Sequence, residues 1–514
     1  MIKKFLEQSK SILKNNWFIL PLIFLFVIIQ LVYLLNNKVP MQWDDAWFYE
    51  NSLRLFDSMS QSSLRIFEYV KIGQTKPPLI NLLMTTIFFT FGRSYNLYIV
   101  YYLLLILISN IFLLLLFSRY KNLSLAIKIF VFCIFNLSPI SVGLSRIFIA
   151  DYLMGVVIFL ILYEFTGKKR SWYLGIYLAL GLLSKTQFIV YVFPIYMSLF
   201  FTNLKKVKNL IKIILPSLIF FLPWLLYNLK VFIDFTYNIS IGGASKNYAL
   251  GIKLYLLQII NFVFGTINLS GLFVFSLIGF KNKKQLQINK ELIIILISLV
   301  LFILILVLNT NRAFRFAYPV LIYLTFIIIE LFKNIKVRKL YLVSIIVLFL
   351  SYVSLANTTF PKISITSRLD NFIFLSPNLG TNYPYRHENW KQKEIIEKLK
   401  IKTGTKATSI ILLGDYQYFN LNNFSLYAIY NRMPYNFCTI AYFSRNLDNN
   451  QVFNSIKNND FFIYKKGGSS YEDPNFNYRN VDLYNKLSKI ANPIYSAQLP
   501  DGGVALVLER IAND

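Results

Sequence analysis

The chain has 514 residues, of which 56% are hydrophobic and only 15% charged, whereas a soluble globular protein is nearer a quarter charged. Its balance is basic, 53 Lys and Arg against 24 Asp and Glu, but the lysines cluster in short loops between long apolar blocks. That pattern follows the positive-inside rule and excludes nucleic acid in favour of membrane lipids as the partner of the charge.

In chain order, the basic start MIKKFLEQSKSILKNN runs into an apolar stretch over 17–36. The stretch is too long for a signal peptide, and no small-residue cleavage site follows in LLNNKVP, so a retained first span is predicted. Lys3, Lys4, Lys10 and Lys14 place the amino terminus in the cytoplasm. Apolar blocks follow near 97–117, 128–146, 150–165, 171–184, 186–201, 211–229, 258–280, 291–308, 316–332 and 340–356. Wound as helices, these approach the thickness of the bilayer hydrocarbon, and backbone groups in lipid must be satisfied within the segment. Threading them puts every basic loop (119–128, 167–170, 205–208, 281–284 and 333–339) on the inside. The expectation is about eleven spans, with the amino end in and the carboxyl end out. Leu79–Phe91 is apolar but short of a span, and is expected to form a juxtamembrane or re-entrant helix.

From residue 357 the sequence turns Asn-, Lys- and Asp-rich. We therefore expect a membrane module over 1–356, with a long first outer loop at 37–95, and a soluble extracytoplasmic α/β domain over 357–514. Within that domain, helical spacing at 390–400 and 482–490 and apolar runs at 408–414, 460–465 and 504–508 predict helices and strands. It carries no glycine-rich phosphate loop and no triad signature. Asp415, after the first strand, is a candidate site residue, although a turn residue is the commoner use of Asp there. The two cysteines, Cys133 and Cys438, form no framework, and a single histidine, His387, leaves no histidine-rich metal site.

The threading gathers polar residues at the outer face. The first outer loop holds Trp43-Asp44-Asp45-Ala46 and ends in Lys76-Pro77-Pro78-Leu79. Asp151 opens a span, Lys185 interrupts an apolar run, and Arg312 and Arg315 close the turn before a late span. Outer loops should be poor in cations, so these need another purpose. Cations could hold a phosphate at the membrane surface, and a carboxylate could take a proton from an attacking hydroxyl. The plainer uses are solvated or helix-capping aspartates and cations that snorkel to headgroups.

In order and spacing these pieces resemble the GT-C membrane glycosyltransferases, and among them the family 39-like group of protein O-mannosyltransferases and lipid A aminoarabinose transferases. The resemblance rests on the acidic pair, on Lys-Pro-Pro-Leu, and on RIFIADY at 146–152, GLLSKT at 181–186 and RAFRFAYP at 312–319. It covers roughly 40–320. The family often has Asp-Glu where this chain has Asp44-Asp45, and glycine where Thr186 follows Lys185. The resemblance implies an α-helical polytopic fold and transfer of a sugar from a polyprenyl-phosphate carrier to a lipid, glycan or protein acceptor. Transfer is expected at the outer face of a bacterial plasma membrane, with inversion of the anomeric centre. It implies Asp44 as base, Asp45 and Asp151 about the sugar and acceptor, and Lys76, Lys185, Arg312 and Arg315 toward the donor phosphate. No metal ligands are assigned, and a divalent ion is left open as a cofactor. A flippase or transporter, or a glycan polymerase or ligase, is the alternative.

Overall fold

The computed structural model describes residues 15–511 apart from 74, 121, 168–169, 205, 241–249, 282–287, 310–311, 441–447 and 470–478. The amino-terminal lysines Lys3, Lys4, Lys10 and Lys14 lie outside the described residues. The chain divides into two compact units, the first made of Met1–Leu35, Ile66–Leu83 and Ile99–Tyr385, the second of Asn36–Arg65, Met84–Tyr98 and Arg386–Asp514.

The first unit is helical. Among the described residues, five helices are long and apolar enough to cross a membrane: Ile19–Asn36, Tyr95–Arg119, Lys290–Leu308, Phe314–Phe332 and Arg338–Asn357. Two bent pairs, Val207–Phe220 with Leu222–Tyr237 (58°) and Ile252–Phe264 with Thr266–Lys281 (85°), raise the number to seven at most. The expected eleven spans are therefore not met by helix length among the described residues. The reason is local chemistry. Where the sequence suggested one span over 128–146, the Leu125–Asn136 helix stops and Pro139–Leu144 starts anew. Proline lacks a backbone N–H and drives the residue before it out of the α region, and Ser138 is extended, with φ −66° and ψ 144°. Gly265, at φ 75°, makes the sharper of the two bends. Leu79–Phe91 is a helix of 13 residues, about 20 Å long at 1.5 Å per residue and so shorter than the hydrocarbon core.

At the centre of this unit lies Ala150–Phe165, buried along almost its whole length. A helix apolar all round suits a fully enclosed position. Close approach depends on small residues, as in membrane helix packing generally: a Cβ added at Gly155 would stand 2.1 Å from the Tyr318 ring, and one at Gly175 would stand 2.2 Å from the Lys212 carbonyl oxygen. Arg146, fully enclosed, ties three parts of the unit together. Its guanidinium donates to Gln30 Oε1 (2.8 Å), Thr358 O (2.9 Å) and Thr359 Oγ1 (2.6 Å) and lies 4.0 Å over the Tyr33 ring. A two-stranded hairpin, β1 (Ser367–Leu369) and β2 (Phe372–Leu375), also belongs here.

The second unit contains a five-stranded sheet: β3 (Thr408–Leu412), β4 (Tyr435–Thr439), β5 (Phe461–Lys466), β6 (Ala491–Gln498) and β7 (Val504–Arg510), in the order β4-β3-β5-β7-β6. β3 pairs in parallel with β4 and β5, whereas β7 runs antiparallel to β5 and β6. Alternation along β3 sends Ile410 and Leu412 into a core with Ile395, Ile396, Leu399 and Phe424, and Ile411 into a second core with Val452, Ile456, Leu483 and Leu487. Helices thus cover both faces, as a buried parallel pairing requires. The Trp43–Gln61 helix belongs to this unit.

Candidate active site

Asp151 lies in the first turn of Ala150–Phe165, where the unpaired N–H groups and the helix dipole favour a negative charge. Its carboxylate is 4% exposed and pairs with Lys185 Nζ at 2.5 Å. Lys185 reaches it because the Ser171–Ser184 helix ends there: Lys185 is extended, at φ −161° and ψ 132°. The same ammonium lies 4.4 Å from the centroid of Phe316, within the range of a cation–π contact. Phe316 sits in the single turn Phe314–Ala317, and the Arg315 guanidinium lies 5.6 Å from the same ring. Two residues picked out by the sequence, Lys185 and Arg315, thus lie near one phenyl ring, and a third, Asp151, is paired with Lys185.

Arg312 precedes that turn. It donates from Nε to Val307 O at 3.1 Å and from a terminal nitrogen to Leu250 O. Among the described residues these partners are carbonyls, which orient the guanidinium without neutralising it. Tyr255 is fully buried, and its hydroxyl has no hydrogen-bond partner among the described residues; the same holds for the side-chain oxygens of Gln187 and Gln258. An unpaired buried polar atom is costly, so each of these groups is open to a polar partner. Sequence reading missed them because a tyrosine or glutamine within an apolar run has no distinctive spacing.

Lys76 also lies in the first unit, in the turn after Gly73, whose φ is 87°. The chain leading into this turn is fixed from the Val207–Ser240 region: Trp224 Nε1 donates to Ile72 O (3.2 Å) and Asn228 to Val70 O (2.7 Å). Pro77-Pro78 then starts the Leu79–Phe91 helix, with Leu82 N–H on Pro78 O at 2.9 Å.

Asp44 and Asp45 fall in the second unit, in the first turn of Trp43–Gln61. Asp45 is buried and Asp44 half-buried. Trp43, beside them, donates its indole N–H to Asp415 Oδ1 at 3.1 Å, and its carbonyl accepts from the Asn422 amide at 2.8 Å. Asp415 is itself buried. Farther along the helix, burial pushes the Glu50 carboxyl upward against the pull of Arg54, which pairs with it at 2.9 Å. Asp57 is paired with Arg93.

A groove of about 810 Å³ opens elsewhere on the first unit, lined by Trp172, Tyr173, Lys212 and Phe220. Arg170 on its rim is already matched to Glu164 by two contacts of 3.0 and 3.1 Å, and Lys212 is a second cation in its lining. Among the described residues, no three His, Cys, Asp or Glu side chains are grouped as metal ligands.

No family model matches the chain, and no curated protein is similar to it in sequence. In three dimensions it is similar to the crystal structure of ArnT from Cupriavidus metallidurans bound to undecaprenyl phosphate, with a TM-score of 0.60 at 10% identity over 97% of this chain and 99% of that one. The apo crystal structure of the same protein gives 0.62 at 11% identity, over 96% and 98%. The likeness runs the length of both chains, so the GT-C-like fold expected from the motifs, a polytopic helical membrane module with a sheet-containing carboxyl-terminal domain, is the fold of this protein.

Proposed function

We propose that this protein is a glycosyltransferase that moves a sugar from a polyprenyl-phosphate carrier to an acceptor hydroxyl at the outer face of the membrane, with inversion. The observation that carries the reading is the near full-length likeness to a structure that holds undecaprenyl phosphate. The side chains described above supply chemistry that suits it.

In this reading Asp44, half-buried at a helix start, takes the proton of the acceptor hydroxyl as the acceptor oxygen bonds to the anomeric carbon. The bond from that carbon to the phosphate oxygen breaks on the opposite side, which inverts the centre. The lipid phosphate leaves with additional negative charge, and Lys76, Arg312 and Arg315 stabilise it. Lys185 contributes through its pairing with Asp151, so the two act as one oriented group toward the sugar and phosphate. Asp45 holds the acceptor or sugar hydroxyls. The orientation proposed has the amino terminus in the cytoplasm and the carboxyl-terminal domain outside, in a bacterial plasma membrane.

The test is an assay of the purified protein with a panel of undecaprenyl-phosphate-linked hexoses and pentoses, together with binding of undecaprenyl phosphate itself. Release of undecaprenyl phosphate from one of these donors, and binding of the free carrier, are the expected results. Binding followed by translocation across vesicles without cleavage would replace the transferase with a flippase.

A further inference from the structure

A helix start is its weakest part, because its first N–H groups lack intrahelical partners. The Trp43–Gln61 helix begins at Gln42 without a capping side chain, yet it carries Asp44 and Asp45 in that turn. Its support comes from residues far away in sequence. Asp415, following β3, accepts the Trp43 indole N–H at 3.1 Å across 372 residues of chain. Asn422 donates to Trp43 O at 2.8 Å, and Asn423 donates to Met41 O. Asn422 and Asn423 stand in the first turn of the Leu421–Tyr430 helix. The same helix continues along the acidic one: Ile429 O accepts from Arg93, whose other terminal nitrogen holds Asp57. Asn422 and Ile429 lie on one helical face, so Leu421–Tyr430 acts as a splint for the helix that bears the acidic pair.

We propose that Asp415 is a positioning residue for the transfer reaction. Its carboxylate fixes the Trp43 indole, and through it the turn that aims Asp44 and Asp45, so the carboxyl-terminal domain serves the chemistry by holding the base in place. The proposal rests on the assignment of Asp44 as base. A carboxylate accepting from a neutral N–H makes a stronger hydrogen bond than a neutral pair. Trp43 has only that one side-chain donor, so the contact is directional. Loss of orientation at a reacting group without loss of substrate contacts appears in kcat and leaves KM in place.

The experiment compares Asp415→Ala, Asp415→Asn and Trp43→Phe in the full-length protein. Two readouts are taken: amide hydrogen exchange over residues 43–50, and turnover of the undecaprenyl-phosphate-linked hexoses and pentoses. Asp415→Ala and Trp43→Phe are each expected to speed exchange at 43–50 about tenfold while β3, β4 and β5 stay protected. Each should lower kcat about 10- to 100-fold at unchanged donor KM. Asp415→Asn, whose amide oxygen still accepts the indole N–H, should restore most of both. Wild-type exchange over 43–50 in Trp43→Phe overturns the proposal, and that variant decides even where Asp415→Ala disturbs the sheet. Asp44→Asn separates the two readings. Full turnover in Asp44→Asn removes the base assignment, and the positioning claim with it. Loss of turnover in Asp44→Asn beside normal kcat in Trp43→Phe removes the positioning claim alone.

Discussion

Lys185 Nζ stands 2.5 Å from Asp151 Oδ1, the ammonium side chain 18% exposed and the carboxylate 4%. Two charges withdrawn this far from water are tolerated because each is the other's counterion. Removing Lys185 takes the counterion from a buried carboxylate, which costs about 3–5 kcal/mol. Lys185→Met should therefore lower the thermal midpoint of the detergent-solubilised protein by several degrees. Asp151→Asn combined with Lys185→Met should recover a large part of that loss. Strictly additive losses in the double variant would show that the pair is not coupled.

Asp44→Asn keeps the shape of the side chain and removes the base. Turnover should fall by roughly 10²-fold or more, with protein level and undecaprenyl-phosphate binding unchanged. If Asp44→Asn turns over normally while Asp45→Asn or Asp151→Asn is dead, the base is a different carboxylate.

A cation on a phosphate in a partly desolvated site contributes about 1.5–3 kcal/mol. Lys76→Ala should weaken undecaprenyl-phosphate binding, or transfer, by an order of magnitude or more, and Lys76→Arg should regain part of it. Arg312→Ala should also weaken binding, because two carbonyls orient the Arg312 guanidinium and less of its freedom is left to lose on binding. Titration calorimetry with undecaprenyl phosphate reads each of these. Wild-type affinity in Lys76→Ala would retire the clamp at that position.

The orientation is checked by labelling in cells with a membrane-impermeant thiol reagent, on a background without Cys133 and Cys438. Single cysteines placed at Asn51 and Ser469 should react from outside, and one at Lys206 should not. Reaction of the Lys206 variant from outside would invert the assignment and put the acidic pair on the cytoplasmic face.

Much of the carboxyl-terminal domain was legible as periodicity. The expected strands at 408–414, 460–465 and 504–508 are β3, β5 and β7, and the helices at 390–400 and 482–490 are found as Gln392–Thr403 and Arg479–Leu487. β4 (YNFCT) and β6 (ANPIYSAQ) were not legible, the first for want of a clean apolar alternation. The second carries Pro493 and a register shift between Pro493 and Tyr495, which only an edge strand tolerates. In the first unit, hydropathy reported apolar runs but not where Pro139 and Gly265 divide them. Of the candidate site residues, the Asp151–Lys185 contact could be suspected from two charges at span ends. The Trp43–Asp415 bond could not, since nothing local links residues so far apart.

The second unit is assembled from 36–65, 84–98 and 386–514, and this interleaving sets an order on synthesis. The two early pieces leave the ribosome before about 290 intervening residues are made, roughly 15–60 s at ordinary elongation rates. Throughout that interval the segment that becomes the Trp43–Gln61 helix lacks Asp415, Asn422 and Ile429, which hold it in the finished fold. The helical bundle can be inserted before those carboxyl-terminal contacts form. A polypeptide interrupted before residue 386 would fill a place in the membrane yet lack the splint that its amino-terminal carboxylates require. Support for the acidic turn therefore arrives only once residues 415–429 have been made.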